Sequence, residues 1–135
     1  MSHFTRVRTT LRDADLLAKA LAAVGFTAVE THDDPQTLYG YQGDARPERA
    51  EVIVRRRHIG RASNDIGFRR QSNGSFEAII SDYDRHRYDH AWLAKVGRAY
   101  GHAAALRYAE DNGYEIDSDV VGEDGERRLV LRRYT

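Results

Sequence analysis

The spacing of apolar residues predicts two helices. After Asp13, a residue suited to cap a helix, apolar positions recur with a helical period as far as residue 24. Gly25 follows, where glycine commonly ends a helix, so the first helix is expected over residues 14–24. A longer apolar stripe begins at Trp92 and continues to Leu106, which predicts a second helix from about 90 to 111.

Alternation of apolar and polar residues predicts eight strands around these helices. Asp33-Asp34-Pro35 is expected to separate the second strand from the third, because proline and paired aspartates interrupt strands. Asn73-Gly74 and Glu123-Asp124-Gly125 are expected to form the turns of two hairpins. The strands are placed at residues 3–11, 26–31, 38–42, 50–57, 66–70, 75–81, 114–121 and 127–134.

This order, β-α-β-β-β-β-β-α-β-β, indicates the α+β class. Two helices cannot cover both faces of so wide a sheet, so we expect a single curved, mainly antiparallel sheet with both helices packed on one face. A length of 135 residues fits a single globular domain over 1–135. No apolar run approaches the ~20 residues of a membrane span, and no membrane insertion is expected. The absence of cysteine fits a cytoplasmic location and excludes thiolate chemistry.

Arginine is the most distinctive feature of the composition. The chain has 21 basic and 21 acidic residues, and only Lys19 and Lys95 among the basic ones are lysines. Many arginines fall on predicted strands, where they could line one sheet face and bind an acidic partner or nucleic-acid phosphates. These candidate partner-binding residues are Arg6, Arg8, Arg55, Arg57, Arg69, Arg70, Arg128 and Arg132. The alternative is a solvated face on which Glu51, Glu77 and Glu126 pair with arginines across strands.

The segment SDYDRHRYDH, residues 81–90, holds the weak candidates for metal ligands. They are Asp82, Asp84, His86 and His90, and a helix would place the two histidines on one face. Arginines are interleaved with them, which repels a cation, and the spacing matches no known ligand motif. The alternative is an acidic helix start with exposed histidines. No metal or other cofactor is therefore predicted.

Three segments together resemble a known family: MSHFTRVRTTLRD followed by LAKALAAVGF, then NDIGFRRQSNGSFEAIISDYD, and YAEDNGYEIDSDVVGEDGERRLVLRRY. They are similar to the hypothetical chloroplast reading frame thirty-five family of cyanobacteria and algal plastids. The resemblance covers most of the chain except residues 31–50 and 55–64. It implies a stand-alone domain, often encoded near a ferredoxin-like protein and an AAA-type ATPase, and hence an accessory role in a protein assembly. It implies no catalytic residues.

Three hypotheses for function follow. The first is a non-enzymatic accessory module that binds a protein partner through its sheet face and its N-terminal strand. An edge strand near the N-terminus, or the C-terminal hairpin, could also pair two copies into a homo-oligomer. The second is nucleic-acid binding through the arginine-rich face, against which the zero net charge counts. The third is a small metal-dependent enzyme that uses His3, His86, His90 or the Asp82/Asp84 pair.

Overall fold

A computed structural model describes residues 3–133 and shows two α-helices, two short 3₁₀ helices and seven strands in that range. The α-helices are α1 (Ala14–Ala23) and α2 (His90–Asp111). The strands are β1 (Phe4–Arg8), β2 (Val29–Tyr39), β3 (Ala45–Val54), β4 (Ile66–Arg70), β5 (Phe76–Ser81), β6 (Tyr114–Val121) and β7 (Arg127–Arg133). The α+β class predicted from the sequence is confirmed.

Both helices begin with an aspartate cap, as local chemistry predicts. The Asp13 carboxylate accepts a hydrogen bond from the Leu16 backbone N–H at 3.0 Å, which satisfies one of the free donors at the start of α1. Asp89 accepts in the same way from Trp92 at the start of α2. Gly25, after α1, has a φ of 112°, which glycine adopts without strain.

Five strands form one antiparallel sheet in the order β1-β5-β4-β3-β2. Helices α1 and α2 cover the same face of this sheet, as predicted. The main core lies between the two helices and the sheet. There Leu17 and Leu21 of α1 and Val96 of α2 pack in one cluster with Phe68 and Phe76 of the sheet. All five side chains are fully buried, and apolar burial of this kind is the largest stabilising contribution in a small domain.

The predicted break at Asp33-Asp34-Pro35 is wrong. Strand β2 runs without interruption from Val29 to Tyr39, with a shift in pairing register between Thr31 and Gln36. β2 is an edge strand, so Pro35 removes no hydrogen bond from a central ladder, and a bulge accommodates the polar residues. The chain therefore has one strand fewer between the helices than expected.

The second face of the five-stranded sheet is not an open basic surface. Leu38, Ala50, Ile53 and Ile79 form a small buried cluster there, with Phe4 packed against it. Gly67 makes this packing close, because a Cβ at this position would lie 2.7 Å from the Ala50 Cβ. Strand β3 also ends at Val54 rather than at residue 57, since the chain turns there into a short 3₁₀ helix.

The C-terminal hairpin departs from the single sheet that we expected. β6 and β7 pair only with each other, in a separate two-stranded sheet. Helix α2 has 22 residues and is about 33 Å long, and the hairpin packs against its C-terminal half, away from the larger sheet. No helix within residues 3–133 combines the length and the apolar composition that a membrane crossing requires.

Candidate partner-binding site

The outer edge of β1 is a free sheet edge. β1 pairs with β5 on one side, and no strand within residues 3–133 pairs with its other side. The bonds from Asp82 N–H to the His3 carbonyl (2.7 Å) and from Thr9 N–H to the Phe76 carbonyl (3.1 Å) show that odd-numbered residues face β5. The backbone N–H and C=O groups of Phe4, Arg6 and Arg8 therefore point outward, where another strand can reach them.

A groove of about 390 Å³ lies beside this edge. One wall is the segment from Val7 to Leu11, and the other is the first half of α2, including Leu93 and Gly97. The lining is largely apolar, and Gly97 leaves it open because nothing lies within 4 Å of where a Cβ would stand. His90, one of the weak candidates for a metal ligand, is exposed and also lines this groove.

Three of the predicted arginines lie near β1 on the sheet face opposite the helices. The register places Glu77 of β5 between Arg8 of β1 and Arg69 of β4. Arg6 forms an ion pair with Glu77 at 3.6 Å, although its side chain is 56% exposed. Arg8 is also exposed. Glu51 lies farther along the face, where its carboxylate accepts a bond from the Arg70 backbone. The β1 side of this face therefore carries two solvent-accessible guanidinium groups.

The other predicted arginines do not join this surface. Arg55 is held in ion pairs, and Arg57 lies in the 3₁₀ helix Arg56–His58.

Arg70 lies over the Phe76 ring, with its guanidinium carbon 4.3 Å from the ring centre. Arg128 and Arg132 belong to the separate β6–β7 hairpin, where Arg132 pairs with Glu115 at 2.6 Å. Alternation along the strands predicted which side each arginine would take, but the strands form two separate sheets and apolar side chains cover part of the second face. One continuous basic face therefore does not form within residues 3–133.

Arg55 is the centre of a partly buried ion-pair network. Its guanidinium donates to Glu30 at 2.8 and 3.0 Å, to Asp65 at 2.9 Å and to the Thr37 carbonyl at 2.9 Å. The hydrogen bonds from Arg55 lower the pKa of Glu30 to about 2, although burial acts in the opposite direction. The same hydrogen bonds raise the pKa of Arg55. Arg55 thus joins β2, β3 and the loop before β4.

The Asp/His segment does not bring its four candidates together. No group of three or more potential ligands among residues 3–133 is arranged to hold a metal ion. Asp84 is buried and accepts hydrogen bonds from the Asn64 N–H (2.9 Å) and the Ser81 hydroxyl (2.8 Å). His86 belongs to the 3₁₀ helix Asp84–His86, whereas His90 begins α2. The two histidines therefore do not share a helix face as the spacing suggested.

Sequence reasoning missed the polar network around Asn64, whose residues lie within the segment NDIGFRRQSNGSFEAIISDYD. Asn64, Asp65, Ser81 and Asp84 are each at most 3% exposed. Their side chains accept hydrogen bonds from nearby backbone groups: the Tyr41 N–H donates to Asn64, and the Tyr39 N–H at the end of β2 donates to Asp65, both at 2.8 Å. A loop rich in Ser, Asn and Asp gave no sign of burial, because only tertiary contacts remove these side chains from water.

A group of polar side chains connects the β6–β7 hairpin to α2. The Asp119 carboxylate of β6 bonds to the His102 ring at 2.9 Å and accepts two hydrogen bonds from Arg127 of β7, at 2.8 and 2.9 Å. The bonds from Arg127, followed by the contact with His102, hold the pKa of Asp119 well below its usual range. This triad positions a hairpin whose strands are otherwise mostly exposed.

Comparison with known proteins gives a family without an assigned activity. Residues 20–130 match the family described as "Protein of unknown function (DUF1257)". The chain is similar to the "Uncharacterized protein ycf35" of Guillardia theta, with 26% identity over 99% of this chain and 98% of that protein. Proteins of the same description from Cyanophora paradoxa and Pyropia yezoensis are 23% and 21% identical, with the same coverage. No solved structure matches.

Proposed function

The chain belongs to the DUF1257 family, and from the surface described above we propose that it is a non-enzymatic protein-interaction module that binds an extended segment of a partner protein along β1. The observation that carries this proposal is the free outer edge of β1 beside an apolar groove. The ferredoxin-like protein and the AAA-type ATPase that the resemblance associates with this family are the first partners to test. A cytoplasmic site of action is part of the same proposal.

The backbone supplies the common part of the recognition. The outward N–H and C=O groups of Phe4, Arg6 and Arg8 can pair with a strand added at this edge, as in other proteins that bind peptides by strand addition. Such main-chain bonds contribute affinity for any extended segment. They do not select a sequence, so selection depends on the side chains that flank the edge.

The two sides of β1 favour different side chains on the added strand. Side chains of that strand on the helix side would enter the groove beside Val7 and Leu93, which favours apolar residues. Those on the opposite side would stand beside Arg6 and Arg8, which favours carboxylates. The proposed partner is therefore a strand in which apolar and acidic residues alternate. A second β1 strand is a poor partner, because it would place arginine beside arginine.

A short peptide with alternating glutamate and valine tests the proposal. Its affinity is measured by fluorescence anisotropy, and its position by protection of the Arg6 and Arg8 backbone amides from hydrogen exchange. We expect binding of this peptide with protection of both amides. We expect no binding of the matched peptide that has lysine in place of glutamate. Binding without protection of these amides, or equal binding of both peptides, would overturn the proposal.

Two pairs of variants separate the site from the stability of the fold. Arg6→Pro removes an outward N–H without breaking the pairing with β5, whereas Arg6→Ala keeps this N–H. Gly97→Leu fills the groove, and Gly101→Leu adds the same side chain one helical turn away; neither Cβ would meet an atom within 4 Å. We expect Arg6→Pro and Gly97→Leu to weaken peptide binding about tenfold or more, and Gly101→Leu to leave it unchanged. Equal effects of the two leucines would contradict the groove as the site.

A further inference from the structure

A second pocket lies at the opposite edge region of the sheet, where β3 leads into the 3₁₀ helix Arg56–His58. It has a volume of about 340 Å³, which falls within the ~300–1,000 Å³ of small-molecule pockets. Its lining residues are Tyr39, Gly43, Arg55, Arg56, Arg57 and Asp65. Three consecutive arginines therefore border one small pocket.

The guanidinium of Arg56 is fixed in place by backbone carbonyl groups. Its Nε donates to the Ser63 carbonyl at 3.0 Å, and its Nη2 donates to the carbonyls of Tyr41 (2.6 Å) and Arg61 (2.8 Å). These acceptors orient the group but are uncharged, so its positive charge is not neutralised by them. A guanidinium held in this way loses little side-chain entropy when it binds an anion.

The carboxylate that lines this pocket, Asp65, and the nearby Glu30 of the same ion-pair network are already engaged. Asp65 is 1% exposed and accepts hydrogen bonds from Arg55 (2.9 Å), from the Tyr39 N–H (2.8 Å) and from the Arg56 N–H (2.7 Å). Glu30 accepts two bonds from Arg55. Within residues 3–133, neither Arg56 nor Arg57 forms an ion pair with a carboxylate. The lining thus holds three guanidinium groups and one carboxylate, Asp65, which is bound to Arg55.

We propose that the pocket bordered by Arg55, Arg56 and Arg57 binds the phosphate group of a small molecule. Arg56 supplies a fixed positive charge and the donors of its Nη1, since its Nε and Nη2 are bound to carbonyl groups. Arg57 bonds to His58 through Nε alone, so its Nη1 and Nη2 can bind two phosphate oxygens in a bidentate way. Arg55 and Asp65 build the wall. The pocket is a single site rather than a basic track, since the exposed carboxylate of Asp44 pairs with Arg46 beside Gly43. A small phosphorylated ligand therefore fits better than a nucleic-acid strand.

The experiment compares three probes with the full chain by isothermal titration calorimetry: inorganic phosphate, adenosine monophosphate and a short single-stranded RNA. Binding of adenosine monophosphate that exceeds the binding of inorganic phosphate assigns the site to a phosphate ester. Equal binding of these two assigns it to free phosphate, and both results support the proposal. Absence of binding by both overturns it, as does tighter binding of RNA with a steep salt dependence, which identifies a nucleic-acid surface instead.

Two variants with the same charge change locate the binding. Arg57 is exposed, and its Nε donates to the His58 ring at 3.1 Å, so Arg57→Gln disturbs little of the fold. Arg128→Gln removes an exposed arginine from the distant hairpin. We expect Arg57→Gln to weaken binding about tenfold and Arg128→Gln to leave it within about twofold. Equal weakening by both indicates attraction to the overall charge and overturns the pocket as the site.

Discussion

Arg55 and Glu30 form a two-point ion pair across β2 and the end of β3, with Arg55 Nε 2.8 Å and Arg55 Nη2 3.0 Å from the two carboxylate oxygens. The same guanidinium reaches Asp65 in the loop before β4. Arg55, expected from the sequence to face a partner, therefore stabilises the junction that shapes the proposed phosphate pocket. Such bidentate geometry is the strongest form of an arginine–carboxylate contact.

The stability of the protein should fall in acid because of Glu30. Its pKa is lowered to about 2 in the folded state from an ordinary value of 4.5, so its contribution is complete above pH ~4.5 and is lost as the pH falls toward 2. Because its side chain is 32% exposed, solvent screening reduces the contribution of Glu30 to the free energy of unfolding to about 1–2 kcal/mol. The free energy of unfolding in urea should be higher by this amount for the wild type than for Glu30→Gln at pH 6. Near pH 2 the two proteins should differ by almost nothing. A gap that does not change with pH would contradict the prediction.

Gly67→Ala should destabilise the protein by about 1–3 kcal/mol, the usual cost of overfilling a packed site. The new Cβ would stand 2.7 Å from the Ala50 Cβ and 2.9 Å from a Leu38 methyl group, within the cluster on the second face of the sheet. Thermal or urea denaturation measures the loss. Addition of Ala50→Gly removes the nearest clash, so the double variant should recover part of the stability. If the double variant were less stable than Gly67→Ala, the clash with Ala50 would not be the cause of the lost stability.

The elements that the sequence predicted correctly are those with local causes. Asp13 and Gly25 bound α1, and Asn73-Gly74 makes the turn of the β4–β5 hairpin, because caps and turns depend on neighbouring residues. The errors come from contacts far apart in the chain. Pro35 is tolerated because β2 lies at an edge, and Ile53 is buried because Leu38 and Ile79 reach the same face. No local pattern carries that information.

The same distinction applies to the candidate site. The sequence indicated an edge strand near the N-terminus and arginines at positions 6 and 8, and the structure places both at the outer edge of β1. It did not indicate the groove, which requires α2 to lie beside that edge. It also did not indicate the convergence of Arg55, Arg56 and Arg57 on one pocket, since strand parity would have sent Arg56 to the other face. The loop fixed by Asp65 overrides that parity.

Alanine at two glycines in α2 should stabilise the protein. Gly97 and Gly101 lie within the helix, and nothing stands within 4 Å of the position of a Cβ at either one. Replacement of glycine by alanine in a helix interior is favourable by about 0.5–1 kcal/mol, because alanine loses less backbone entropy on folding. Urea unfolding should show this gain for each variant, and nearly additive gains for the pair. A lower stability of Gly97→Ala, with the expected gain for Gly101→Ala, would contradict the prediction at Gly97 and would indicate that a neighbouring group moves into the groove.

Asp84 and Asp82, two of the metal candidates, should respond very differently to replacement by alanine. Asp84→Ala removes the carboxylate that accepts from the buried Asn64 N–H and Ser81 hydroxyl, which should cost about 2–4 kcal/mol. Asp82 is exposed and accepts one bond, from the Thr5 hydroxyl at 2.6 Å, so Asp82→Ala should cost less than about 1 kcal/mol. Urea unfolding gives both costs, and elemental analysis of the purified proteins reports any bound metal. Bound metal in the wild type that both replacements remove equally would establish the metal role and contradict the structural role argued for Asp84.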